Sequence, residues 1–250
     1  DEAEKSIRKS IQLNPDYAMA YSNLGSIYKD LGRLYEAEIF TRKAIEIKDD
    51  LVIANSNLGS ILRDLGKLDE AEIFILKAIQ LNPNCAIAHS NLGSILRDLG
   101  KLDEAEKSLR KAIYIKSSLA EANSNLGSVL RDLGRLEEAK TFACKAIDIN
   151  PDLAEAHLIL GTIFIILGEF KKAEISIRLA IDISSDFANA YYTLSTFKNT
   201  ESSNSWQQKL FSDHILNQQT KENLIHIYFA RSNVLHQNKK YLESSKYLLL

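Results

Sequence analysis

Cysteine is nearly absent: Cys85 and Cys144 are the only two in 250 residues. That excludes a disulfide framework and fits a reducing compartment, so the cytoplasm is the expected location. A charge excess is absent too, since 31 Lys plus Arg face 33 Asp plus Glu, a formal charge of -2. No general attraction to nucleic acid or to an anionic membrane follows. No apolar run reaches the roughly 18 residues that a membrane-spanning helix needs. Neither G-x-G-x-x-G nor G-x-x-x-x-G-K occurs, which removes the common phosphate loops. His89, His157, His214, His226 and His236 stand in no Cys or carboxylate pattern of a metal site. The sequence therefore offers no catalytic residue, no metal and no cofactor. It opens at Asp1 and not Met, so nothing follows about a targeting segment.

The scarce residues that do occur are placed with a period. All ten glycines fall in two series spaced by 34 residues: Gly25, Gly59, Gly93, Gly127, Gly161 and Gly32, Gly66, Gly100, Gly134, Gly168. The three prolines, Pro15, Pro83 and Pro151, fall at twice that period. The stretch SNLGSILRDLGKLDEAE occurs at Ser56–Glu72 and again, unchanged, at Ser90–Glu106. A repeat of this length marks a stacked array.

Numbering each unit so that its first glycine is position 8 gives five units, 18–51, 52–85, 86–119, 120–153 and 154–187. Positions 4, 7, 8 and 11 share one helical stripe and positions 20, 24 and 27 a second. The glycine at position 15 suits the left-handed end of the first helix. Acidic residues such as Asp69 and Glu70 suit the first turn of the next. Each unit is thus expected to be a helical hairpin whose open apolar side is buried by its neighbours. The predicted fold class is all-α, a superhelical solenoid of antiparallel hairpins. Position 4 holds Tyr21, Asn55, His89, Asn123 and His157, polar residues that predict looser packing there.

Leu-Gly at positions 7 and 8, Leu or an aromatic at 11, Gly at 15, Ala at 20 and 27 and Pro at 32 resemble the tetratricopeptide repeat family. The usual tryptophan at position 4 is missing. The resemblance implies a right-handed superhelix whose first helices line a concave surface at positions 2, 5, 6, 9, 12 and 13. On that surface like residues recur: asparagine at position 6 (Asn23, Asn57, Asn91, Asn125), serine at 5 and 9, and Arg63, Arg97 and Arg131 at 12 beside aspartates at 13. Serine at positions 5 and 9 departs from the family's carboxylate-clamping domains. The asparagine ladder and the GKLDEAE wording look more like the repeat region of protein O-linked N-acetylglucosamine transferases, and bacterial arrays of this type. In that family the corresponding asparagines hold extended peptide backbone.

The expected function is therefore a non-catalytic scaffold that binds an extended peptide or partner protein, with the asparagines and Arg63, Arg97 and Arg131 as candidate contacts. An amide offers donor and acceptor to a peptide backbone, or bonds to the neighbouring hairpin. The arginines pair with aspartates or touch a ligand. Alternatives are self-association with a second copy, and a substrate-recruiting region for a larger transferase or the chain's own downstream domain.

The pattern fails at both ends. Residues 1–17 read as the second half of an earlier unit, so the sequence is expected to start inside a repeat. In unit five, Leu158 and Ile159 replace Ser-Asn, and Ile165 and Ile166 replace Arg-Asp. Either a capping helix folds over this apolar face or it is an exposed contact site. Residues 188–221 read as a degenerate sixth repeat with that cap. Lys198 to Ser205 is expected to be a loop, and Trp206 to Gln218 one amphipathic helix anchored by Trp206. Residues 222–250 read as a further degenerate hairpin in which Ser232, Lys239 and Ser244 take positions 8, 15 and 20. It resembles helices that link such arrays to catalytic domains such as sulfotransferases. Its end on Leu248, Leu249 and Leu250 predicts that more protein follows.

Overall fold

Two glycines in each 34-residue unit solve different local problems, illustrated by Gly59 and Gly66. Gly59 lies where the two helices of a hairpin touch: a Cβ there would sit 2.4 Å from Ile75 Cγ1 and 3.1 Å from the Ala71 carbonyl oxygen. Gly66 has φ +74° with open space around its Cα. It ends the first helix, with the Lys67 N–H donating back to the Leu62 carbonyl at 2.8 Å, a closure that needs a left-handed residue.

The structure, a computed structural model, describes residues 2–197, 205–217 and 219–248. The described residues form helices and turns without a strand. The chain divides into two compact units, residues 1–135 and 136–250.

The first unit contains α1 (Glu2–Leu13), α2 (Ala18–Asp30), α3 (Leu34–Ile47), α4 (Val52–Asp64), α5 (Leu68–Leu81), α6 (Ala86–Asp98), α7 (Leu102–Ile115) and α8 (Ala120–Asp132). The pairs α2–α3, α4–α5 and α6–α7 are tight antiparallel hairpins, and each second helix also packs on the following first helix. Leu58, Leu62 and Ile75 are fully buried in one such core, together with Ile95 of the next hairpin. Burying a side chain of this size contributes about 1.5–3 kcal/mol. Stacking therefore completes each hairpin's core.

The second unit contains α9 (Leu136–Ile149), α10 (Ala154–Ile166), α11 (Phe170–Ile183), α12 (Ala188–Ser195), α13 (Ser205–Leu210), a 3-10 turn (Asp213–Leu216), α14 (Lys221–Gln237) and α15 (Tyr241–Lys246). Here α12 packs directly on α14. Their core gathers Tyr191, Leu194, Trp206, Leu210, Ile215, Ile227 and Val234. In α14 and α15 a Ser232–Ser244 hydroxyl pair at 2.9 Å, both buried, occupies the site of the glycine–alanine contact. Lys239 takes the left-handed turn with φ 60° in place of glycine.

Three expectations change. The helix expected over Trp206 to Gln218 breaks after Leu210, and a separate 3-10 turn follows. The break is held by the buried Arg231 guanidinium, which donates to the Leu210 and Ser212 carbonyls at 2.9 Å each. Position 4 is not loosely packed. Asn55, His89, Asn123, His157 and Tyr191 each bond a backbone carbonyl six residues earlier, at 2.9–3.3 Å, tying the first helix to the turn before it. The apolar face of unit five divides: Leu158 and Ile159 are buried, Ile165 packs on the Trp206 core, and Ile166 and Phe170 stay 57% and 58% exposed. The cap does not close over those last two. It packs on α14 and reaches α11 through a Lys209–Asp182 ion pair at 2.8 Å. Of the expected loop, residues 198–204 lie outside the described residues, as do Gln218 and two of the terminal leucines, while Ser205 opens α13.

Candidate partner-binding groove

In the first unit, consecutive first helices approach one another, α2 to α4, α4 to α6 and α6 to α8. They form its inner surface. A helical stripe repeats at positions 2, 6, 9 and 13, so each first helix presents four groups in order from its N-terminus. In α4 these are Ile53, Asn57, Ser60 and Asp64; in α6 they are Ile87, Asn91, Ser94 and Asp98. Across the helices they make four parallel strips: apolar, amide, hydroxyl and charged.

The amide strip is fixed by the neighbouring hairpin. Asn57 Nδ2 donates to Ser22 Oγ at 3.4 Å, Asn91 Nδ2 to Ser56 Oγ at 3.3 Å, and Asn125 Nδ2 to Ser94 Oγ at 2.9 Å. One N–H of each amide is thereby used, which sets the plane of the group. Among the described residues their Oδ1 atoms accept no hydrogen bond. Asn23, on α2, is exposed. The four asparagines thus occupy one strip, three of them oriented by the fold.

The charged strip is internally neutralised. Lys29 Nζ lies 3.4 Å from Asp64 Oδ2 and donates to Ser60 Oγ at 2.7 Å. Arg63 reaches Asp64 at 3.0 Å and Asp98 at 3.7 Å. Arg97 Nε meets Asp132 Oδ2 at 2.9 Å, and Arg131 meets its other oxygen at 2.7 Å. Burial acts to raise the Asp132 carboxyl, but the bonds from Arg97 and Arg131 outweigh it and hold the group below its ordinary range. Arg63, Arg97 and Arg131 are thus brought together with aspartates as charge-paired rungs. Exposed pairs of this kind contribute about 0–1 kcal/mol each.

The apolar strip is Met19, Ile53 and Ile87. Met19 is half-buried, while Ile53 and Ile87 are 50% and 56% exposed. It ends at Glu121. A pocket of about 440 Å³ opens beside Met19, lined also by Tyr17, Ala18, Ile47 and Leu51 and by the charged Asp16 and Lys48. Position 2 faces the groove as the repeat pattern implies, and its apolar character is legible when that position is followed down the units.

A second ladder lies away from the inner surface. Lys67, Lys101 and Arg135, just after the turn glycine, pair with Glu38, Glu72 and Glu106 of the preceding unit at 2.8, 2.9 and 2.7 Å. In residues 136–250 the same two positions carry Lys140 and Glu169, with the signs exchanged. A hydrogen bond from Lys172 chiefly lowers the Glu169 carboxyl, and Lys140 adds to it. Much of the polar wording copied between units therefore serves the unit-to-unit interface.

No group of three or more His, Cys, Asp or Glu among the described residues is placed to hold a metal ion. No helix among them is long and apolar enough to cross a membrane.

No curated protein matches the chain by sequence. Among solved structures, it is similar to MamA from Desulfovibrio magneticus RS-1, with 21% identity and TM-score 0.52 over 67% of this chain and 95% of that one. The Cut9 and Hcn1 tetramer of the APC/C matches 99% of this chain and 45% of its own, at 14% identity and TM-score 0.74. YrrB, a repeat protein described with an unusual peptide-binding site, matches at 24% identity and TM-score 0.49 over 76% of this chain and 98% of its own. Two family models described as tetratricopeptide repeat match residues 49–118 and 84–152, and residues 18–51 and 154–187. The chain belongs to the tetratricopeptide repeat family.

Proposed function

We propose that this protein is a non-catalytic scaffold whose inner surface over residues 18–132 holds an extended peptide segment of a partner protein. The observation that carries this is the amide strip. Asparagine is a mediocre helix former whose side chain competes for backbone bonds, and its bond to the neighbouring hairpin uses only one N–H of the amide. Each oriented amide keeps an acceptor and one donor, the complement of a peptide unit. Adjacent packed helices lie about 8–10 Å apart, so one asparagine meets roughly every third residue of a chain advancing about 3.3 Å per residue. Contact to backbone makes few demands on ligand side chains. Arg63, Arg97 and Arg131 border the same groove. The cytoplasm is the proposed site of action, supported by the free thiols of Cys85 and Cys144.

The test is Asn57→Ala with Asn91→Ala, measured against a displayed library of extended peptides. Binders selected by the wild-type protein should lose affinity while the melting temperature moves little. Retained affinity of peptides shown to occupy the groove overturns the reading.

A second reading, self-association, draws on the exposed Ile166 and Phe170 in residues 136–250; Phe170 borders a pocket of about 770 Å³ shared with Ile165 and Phe197. A dimer stable on dilution and lost on Phe170→Glu would favour it.

A further inference from the structure

We infer that the inner groove selects a polyproline II segment, electrically neutral where it touches, with an apolar side chain at every third residue. This rests on the peptide-binding reading above and adds the ligand's conformation and sequence pattern.

Groove and ligand must repeat with the same spacing. The strips repeat once per first helix, about 8–10 Å. A polyproline II chain has three residues per turn and rises about 3.1 Å per residue, so the same face returns every 9.3 Å or so. A β-strand returns the same face about every 6.6–6.8 Å, and at twice that on the next occasion. Neither value matches the helices. An α-helical ligand has a pitch of about 5.4 Å and spends its backbone bonds internally, leaving the amide strip unmet. Only the polyproline II chain keeps its backbone unpaired and presents it in step with Asn23, Asn57, Asn91 and Asn125.

The neighbouring strips fix what the other faces carry. Positions 2 and 6 of one helix are separated by about 6 Å along its axis, within reach of a Leu, Ile or Met side chain. Residues directed that way meet Met19, Ile53 and Ile87 in succession. The pocket beside Met19, where Tyr17, Ile47 and Leu51 supply apolar surface and the oppositely charged Asp16 and Lys48 also line the wall, seats the largest of them. Beyond Ile87 the strip ends in Glu121, so the apolar demand covers three successive turns. Residues directed the other way meet serines and then Lys29, Arg63 and Arg97. Those cations already face Asp64, Asp98 and Asp132. A charged ligand residue gains little there and disrupts a pair.

The test uses labelled synthetic peptides of about ten residues, long enough for three turns. One set carries Leu at every third position with Pro and Ala between. A control of identical composition carries Leu at alternate positions. Anisotropy is measured with the wild type, Ile53→Glu, Ile87→Glu and the Asn57→Ala, Asn91→Ala double variant. Circular dichroism confirms folding, and Ile53 and Ile87 are exposed enough for charge to be tolerated. The third-spaced set should bind at least about tenfold tighter. Either glutamate variant should remove that preference, and raising salt from about 50 to 500 mM should alter affinity less than about twofold. Equal binding of both sets that still depends on the asparagines overturns this inference and leaves the groove reading intact. Binding of both sets without dependence on the asparagines overturns both. A preference for charged peptides with steep salt dependence, or no binding of the third-spaced set at millimolar concentration, overturns the inference.

Discussion

Replacing Gly59 by alanine adds a single methyl group at the closest approach of α4 and α5. The new Cβ would lie 2.4 Å from Ile75 Cγ1, 2.8 Å from Ile75 Cδ1 and 3.1 Å from the Ala71 carbonyl oxygen. Ile75 is fully buried, so its side chain has no space into which to swing. The carbonyl belongs to helix backbone and retreats only if the two helices separate. Against this stands the better helix propensity of alanine, worth about 1 kcal/mol. Overpacking of this kind costs about 1–3 kcal/mol, and backbone on one side of the contact places it toward the upper end. The expected net effect is a loss of roughly 1–2 kcal/mol. Stacked repeats often unfold in stages, which blurs a single global free energy. The assay is therefore hydrogen exchange of α4 and α5 amides, beside urea denaturation. Gly59→Ala should raise exchange in that hairpin first. Ile75→Ala alone should cost about 2–5 kcal/mol, and clearly less when combined with Gly59→Ala, because the new methyl fills part of the vacated space. Additivity within about 0.5 kcal/mol, or stabilisation by Gly59→Ala alone, would refute the close-packing argument.

Lys239→Gly should stabilise the last hairpin by up to about 1 kcal/mol, because a side chain at φ 60° costs about 1–2 kcal/mol and glycine returns part of that as unfolded-state entropy; proteolysis near α15 reports it. Exchanging the charges of Glu72 and Lys101, which lie 2.9 Å apart, should cost about 0.2–1 kcal/mol in either single variant and recover most of it in the double. Stability should fall in acid. For Glu38 and Glu106, burial acts to raise the carboxyls, but bonds from Lys67 and Arg42, and from Arg110 and Arg135, prevail and lower them from 4.5. The unfolded chain then binds protons first, so this stability is complete above about pH 4.5 and declines as pH falls through the depressed folded values. A urea midpoint that stays flat down to pH 3 would contradict it, and Glu106→Gln should shrink the decline.

Neighbouring residues suffice to specify the helices and their partners within a hairpin. A 3.6-residue stripe, a left-handed glycine and a first-turn acid act over a few residues, and a 34-residue period repeats them with no reference to the rest of the chain. It also placed Asn57, Asn91 and Asn125 in one strip, because like positions in like units must align. The tertiary structure alone decided what those amides touch. Ser22 and Ser56 lie 35 residues before the asparagines they bond, but Asn125 takes Ser94, 31 residues away. That choice depends on the offset between stacked hairpins, which periodicity leaves open. The same holds for Lys101 with Glu72 and for Arg97 with Asp132. At position 4 polarity does not mean poor packing. A buried amide or imidazole is stable where a turn carbonyl lies within reach, and only the fold brings that carbonyl there. The break after Leu210 was hidden for a similar reason: the apolar spacing of Trp206, Leu210 and Ile215 suits a helix, and a guanidinium about 20 residues further on ends it by capturing the Leu210 and Ser212 carbonyls. Local stereochemistry is written in neighbouring letters. The pairing of polar groups across an interface is settled by distance in space, which the chain acquires only once its hairpins have stacked.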